Sequence, residues 1–186
     1  MRQALQRPET PPQRPRKVAL LGIGNELNGD DAAGVRIARS LLRRQRAGRI
    51  SRPDFLLVLD AGLAPENVTG AVRRFGPDLV ILVDAAEMGE TPGTIHWLAW
   101  QDTTGVTAAT HTLPPYMVAQ YLAAELTCEV ALIGIQPQDT SFGFPLSDPV
   151  RRAVRTVSDG LAHLLLASSR PWNIPENCAC GATPKT

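Results

Sequence analysis

The chain has 186 residues, with 19 Lys plus Arg, 18 Asp plus Glu and a formal net charge of +1. This balance excludes the strongly basic surface that nucleic acid or an anionic membrane requires, and no apolar run is long enough to span a bilayer. The length suits one domain with a sizeable core.

Residues 1–15 are rich in Pro and Arg, lack the apolar stretch of a secretory signal and read as a disordered leader. "KVALLGIG", residues 17–24, is a short apolar run closed by glycines, the pattern of a buried strand. Val35, Ile37, Ala38, Leu41 and Leu42 then follow at helical spacing. "RRQRAGR" ends that helix with positive charge, where the helix dipole prefers it. "FLLVLDAG", residues 55–62, is a second buried strand, "APENVTGAVRRFG" a short helix, and "DLVILVDAAE", residues 78–87, a third strand. The turn "ETPG" leads into "TIHWLAW", an expected antiparallel edge strand. "THTLPPYMVAQYLAAEL" reads as a loop entering a helix with Met117, Val118, Tyr121 and Leu122 on one side, and "EVALIGIQP" as a further buried strand. The final helix is expected to take Ser147 as N-cap, with Pro149 in its first turn. Its apolar face would carry Val150, Val154, Val157, Leu161 and Leu164.

Strands that are apolar on both faces and alternate with helices predict an α/β fold. We expect a single domain, residues 16–168, with a mostly parallel twisted sheet of about five strands and helices on both faces. Residues 169–186 return to the composition of a flexible tail. Three cysteines, Cys128, Cys178 and Cys180, are a poor count for a disulfide framework, so a reducing cytoplasm is expected. Cys128 reads as a small buried hydrophobe. Cys178 and Cys180 sit in the Pro/Gly-rich tail without a second ligand pair and read as part of a flexible end.

The chemistry concentrates after the first strand. Gly22 and Gly24 fit the dinucleotide fingerprint, but Leu27 occupies its third glycine position. No P-loop Gly-Lys-Ser/Thr follows. Asp30 and Asp31 would also repel a bound phosphate, each by roughly 3 kcal/mol at ~5 Å and an effective dielectric of ~20. One aspartate suffices to cap the helix. The other, about 100° around the axis, would face the crevice, with the helix dipole favouring its ionised form.

Ligands of open α/β sheets gather beyond the carboxyl ends of the strands. Three successive strands deliver acids there: Asp30 and Asp31, then Asp60, then Asp84. Among the histidines, His96 lies in a strand and His163 on the outer side of the last helix. His111 lies in a polar loop before a helix, where functional groups often sit. Asp31, Asp84 and His111 could form a mixed oxygen and nitrogen ligand set for a borderline divalent ion, weak unless a partner adds ligands. No G-x-S-x-G or H-E-x-x-H motif occurs.

Five blocks in order, from about residue 17 to residue 166, carry a resemblance: "GIGNELNGDDAAGV", "DAGLAPENV", "VDAAEMGETPGTI", "THTLPP" and "LIGIQPQDTSFGFPLSDPVRRAV". Together they resemble the endopeptidases that mature nickel–iron hydrogenases, the last block being similar to the formate-hydrogenlyase-type subgroup. The resemblance implies that Asp31, Asp84 and His111 contact nickel, or a metal standing in for it. It implies a substrate as well: a nickel-loaded hydrogenase large-subunit precursor whose C-terminal extension is removed. Nickel would come with the precursor, and no tightly bound cofactor of the chain's own is expected. Ala32 stands where many relatives have glycine, and neither the leader nor the tail has a counterpart. Two routes to cleavage stay open. The metal polarises the carbonyl or activates water, or Asp31 or Asp84 acts as base while the metal positions the chain. Asp60 would be structural or shape the cleft. The rival expectations are a non-catalytic chaperone for the hydrogenase subunit and a small-ligand or nucleotide-binding module. A cytoplasmic monomer is expected.

Overall fold

A computed structural model describes residues 16–50, 54–99, 107–108, 115–126 and 128–167. The expected leader, the Cys178/Cys180 tail and His111 lie outside the described residues. In chain order the elements are β1 (Val18–Ile23), α1 (Ala33–Arg46), β2 (Leu56–Gly62), α2 (Thr69–Phe75), β3 (Leu79–Glu87), β4 (Ile95–Ala99), β5 (Thr107–Ala108), α3 (Pro115–Leu126), β6 (Glu129–Ile135) and α4 (Asp148–Ala167). The sheet runs β2-β1-β3-β6-β4, and β5 pairs with β3 off this path. β1 is parallel to β2 and β3, and β3 to β6. β4 is the antiparallel edge that its tight turn predicts. β5 falls in a stretch expected to be loop. Two residues are too few to leave a periodic signal.

The strands are apolar on both faces because both faces are covered. Leu20, Ile81 and Val83 pack with Ile37 and Leu41 of α1 and with Val150, Val157 and Leu161 of α4. Ala19, Leu21, Val80 and Leu82 pack with Val72 of α2 and with Val118 and Leu122 of α3. Two helix faces depart from expectation. On α3, Val118, Ala119 and Leu122 are buried, while Met117 and Tyr121 are exposed. That helix is apolar around much of its girth, so its pattern singles out no face. On α4, Leu165 is buried and Leu164 exposed. At 3.6 residues per turn both lie near the stripe that starts at Val150, and only neighbour packing separates them.

The chain order puts a crevice where the site will form. After β1 the chain turns to α1 on one face. After β3 it reaches α3 on the other face. β1 lies between β2 and β3, so the strand order reverses there, a topological switch point. α1 begins directly on the carbonyl ends of β1 and β3. A Cβ at Gly34 would come within 2.4 Å of the Ile23 oxygen and 2.1 Å of the Val83 oxygen, so only glycine permits this approach. The last β1/β3 register pair is Gly22 with Val83, which makes Asp84 the first residue at which β3 outruns its neighbour.

Candidate active site

The turn after β1 is built around Gly24. Its φ is +131°, and a Cβ there would fall 1.8 Å from the Asp31 carbonyl oxygen. The Gly24 N–H donates to the Gly62 carbonyl at 3.0 Å, tying the turn to the end of β2. A 3-10 turn, Gly29–Ala32, then buries both aspartates before α1 starts.

Asp31 is 1 % exposed and Asp84 is 4 % exposed. Asp31 Oδ2 accepts the Asn25 N–H at 2.8 Å, and Asp84 Oδ1 accepts the Ala85 N–H at 2.9 Å. Burial pushes the Asp31 carboxyl above its ordinary range, against the opposing effect of the Asn25 N–H. Asp84 is pushed well up, first by burial and then by the negative charge of Asp31. The two acids therefore form an electrostatically coupled pair at the switch point. Burial therefore works against the ionised form that the helix dipole was expected to favour.

Asp30 does a different job from its neighbour. Its Oδ2 accepts the N–H groups of Gln138 at 2.8 Å and Asp139 at 3.1 Å, and the Ser147 hydroxyl at 2.8 Å. Its Oδ1 accepts the Ser147 N–H at 2.7 Å. Neither aspartate caps α1, whose N-terminus has no side-chain cap bond. Ser147 does precede α4, and its carbonyl accepts the Arg151 N–H at 2.8 Å. Its hydroxyl, however, is turned to Asp30 and away from a capping role. Asp60 accepts from Arg39 Nε at 2.6 Å, and Arg39 also pairs with Glu26. This network fixes α1 against the end of β2, in line with a structural role for Asp60.

Gln136 lies in the last of the five blocks, and no role for it follows from the sequence. It is buried. Its Oε1 accepts the N–H groups of Met88 at 2.8 Å and Glu90 at 3.2 Å, and its Nε2 donates to Glu87 Oε1 at 2.9 Å. Gln136 thereby secures the turn that leaves the Asp84 strand. The available signal was a single amide side chain ending an otherwise apolar strand. On the loop after β6, Phe142 and Phe144 are exposed. That loop is held to the acid turn by the Gly143 N–H, which donates to the Leu27 carbonyl at 2.7 Å.

The other reactive candidates stand apart. Cys128 precedes β6, at the opposite end of the strands from the acids, and burial pushes its thiol up, which disfavours a nucleophile. His96 is half-buried on β4, 3.7 Å from Glu90, and His163 is exposed. Among the described residues no group of three His, Cys, Asp or Glu side chains is placed to hold a metal ion. Asp31 and Asp84 are thus two donors without a third from that set.

Fold and site define an open α/β protein whose switch-point crevice is acidic, the reverse of a phosphate cradle. The family described as HycI: Hydrogenase maturation protease matches residues 35–163. The Hydrogenase 3 maturation protease of Escherichia coli (strain K12) is 33% identical over 139 residues, covering 74% of this chain and 84% of that protein. The NiFe hydrogenase maturation protease HycI from Thermococcus kodakarensis KOD1 superposes with a TM-score of 0.70 at 30% identity, covering 83% of this chain and 95% of that one. The endopeptidase HycI from Escherichia coli gives a TM-score of 0.65 at 29% identity, covering 86% and 98%. This chain belongs to the hydrogenase maturation protease family, and it is a peptide-bond hydrolase.

Proposed function

We propose that this peptidase removes the C-terminal extension of a nickel–iron hydrogenase large-subunit precursor after nickel insertion, and that the precursor's nickel is its recognition handle. The coupling between Asp31 and Asp84 carries the reading. Two carboxyls buried together cannot both ionise cheaply on their own. A divalent cation between them would replace repulsion with attraction and displace the retained proton. The metal-free site is therefore complementary to an ion that another protein brings.

Two oxygen donors hold a borderline cation weakly. That suits a site meant to test for nickel without extracting it. In this reading His111 adds a nitrogen donor, and cysteine thiolates of the precursor complete the shell. Precursor with and without nickel would then differ in affinity, which is what selectivity requires. For the bond-breaking step, a carboxylate freed of its proton could serve as base toward water, or the nickel could polarise the scissile carbonyl. No described helix is long and apolar enough to cross a membrane. We assign the protein to the cytoplasm as a monomer.

The test is an incubation of the protein with nickel-loaded and nickel-free precursor, followed on a gel. Shortening of the loaded form alone is expected. Equal shortening of both forms would remove nickel from the reading, and no shortening of either would remove the assigned reaction.

A further inference from the structure

α1 and α4 leave a groove between them that encloses about 410 Å³. Arg36, Arg43 and Arg44 line it from α1, Arg151 and Arg155 from α4, and Asp159 is the one acid among the lining residues. Arg44 is paired with Asp159, and Arg151 with Asp148. Arg36 lies 3.9 Å from Glu26. The side chains of Arg43 and Arg155 have no ion pair or hydrogen bond among the described residues. Ser158 lines the same groove, is 2 % exposed, and its Oγ is buried without a partner among the described residues. Leaving a buried hydroxyl unpaired is unfavourable, and a ligand's polar group would relieve it.

The groove adjoins, in sequence, the loop that the acid turn holds. Pro145 and Leu146 are among its lining residues and directly precede the Ser147 that Asp30 holds. From Arg36 to Arg44 the helix advances about 12 Å, the length of roughly three to four extended residues. We infer that this groove binds an acidic, extended segment of the precursor polypeptide while the scissile region lies at the Asp31/Asp84 rim. The inference rests on the proposed function for the identity of that polypeptide. The chain's own termini do not suit the groove. Residues 1–15 carry Arg2, Arg7 and Arg14 against Glu9, and residues 168–186 carry Arg170 and Lys185 against Glu176. Nucleic acid is a poorer match, because the chain as a whole carries a net charge of only +1.

The test is a double charge reversal, Arg43→Glu with Arg155→Glu, at two exposed positions. Binding of nickel-loaded precursor is read by anisotropy at low and high salt, and cleavage by a KM-against-kcat split. Kd is expected to rise about ten-fold at low salt, with the gap closing at high salt and the loss falling on KM. Arg43→Lys with Arg155→Lys should restore wild-type binding, and Ser158→Ala should weaken it without lowering the melting temperature. Unchanged Kd and salt dependence in the charge-reversed protein would overturn the inference. So would inorganic phosphate or a single-stranded oligonucleotide that competes as well as an acidic peptide does. Binding is read apart from cutting, so a precursor held through the groove but left uncut would count against the proposed reaction and support the groove.

Discussion

Asp30 Oδ1 accepts the Ser147 N–H at 2.7 Å, and Asp30 Oδ2 accepts the hydroxyl of the same serine at 2.8 Å. This junction ties the acid turn after β1 to the first turn of α4. It divides the labour between two adjacent aspartates. Asp30 satisfies backbone donors of the loop after β6, while among the described residues Asp31 has a single N–H from Asn25 and the company of Asp84.

The division predicts unequal losses of stability. Asp30→Ala strands the N–H groups of Gln138, Asp139 and Ser147 and should cost about 3 kcal/mol. Asp31→Ala removes a buried acid that makes one such bond among the described residues and should cost much less. Urea unfolding of both variants checks this, and a larger loss for Asp31→Ala would contradict the assignment.

Asp84 should make the metal-free protein less stable as pH rises. In the unfolded chain its carboxyl ionises near the ordinary 3.8, whereas in the fold burial and Asp31 hold the proton to much higher pH. Between those two values the native state binds more protons than the unfolded state, so this group's contribution falls as pH increases. Asp84→Asn keeps the shape without the ionisation. Its melting temperature should exceed that of the wild type at neutral pH, and the gap should narrow toward pH 3.8. Each kcal/mol relieved corresponds to about 2–4 °C in a chain of this size. A gap that is independent of pH would show that ionisation of Asp84 plays no part.

Cleavage should separate the acids differently. Asp31→Ala, Asp84→Asn and His111→Ala are each expected to lower the rate on nickel-loaded precursor by about 100-fold or more. Asp60→Asn should retain most of it, because Asp60 is engaged with Arg39. A time course on the gel assay reads all four. Full processing by Asp31→Ala would end the proposed site.

Gly34→Ala tests the approach of α1 to the sheet. The new methyl group would lie 2.1 Å from the Val83 oxygen and 2.4 Å from the Ile23 oxygen. Both are backbone atoms that cannot rotate aside, so the helix must lift. The expected cost is about 1–3 kcal/mol, with a loss of activity because Asp31 moves away from Asp84. Thermal melting and the same cleavage assay report the two effects. A stable variant with wild-type activity would show that this contact does not set the geometry.

Much of the fold was legible because its signals are local. The apolar runs of β1, β3 and β6, the helical spacing of α1 and the glycines of the first turn all depend on neighbours a few residues away. The acids at successive strand ends could be located for the same reason, and the ordered blocks pointed to the family that the comparisons show. The sequence placed Asp31 with Asp84 in the expected ligand set, but the job of Asp30 as anchor of the loop after β6 was not legible, because its partners Gln138, Asp139 and Ser147 lie far along the chain. The buried faces of α3 and the end of α4 were ambiguous because neither pattern is one-sided at those positions.

The sequence by itself determined the order and type of the main elements, the parallel layering and the residues available for chemistry. Only the tertiary structure decided that Asp31 and Asp84 share one water-poor crevice, that Gln136 holds the turn behind it, and that arginines from α1 and α4 line a common groove. Backbone periodicity is set over a few residues, whereas desolvation and charge coupling depend on segments far apart in the chain being packed side by side.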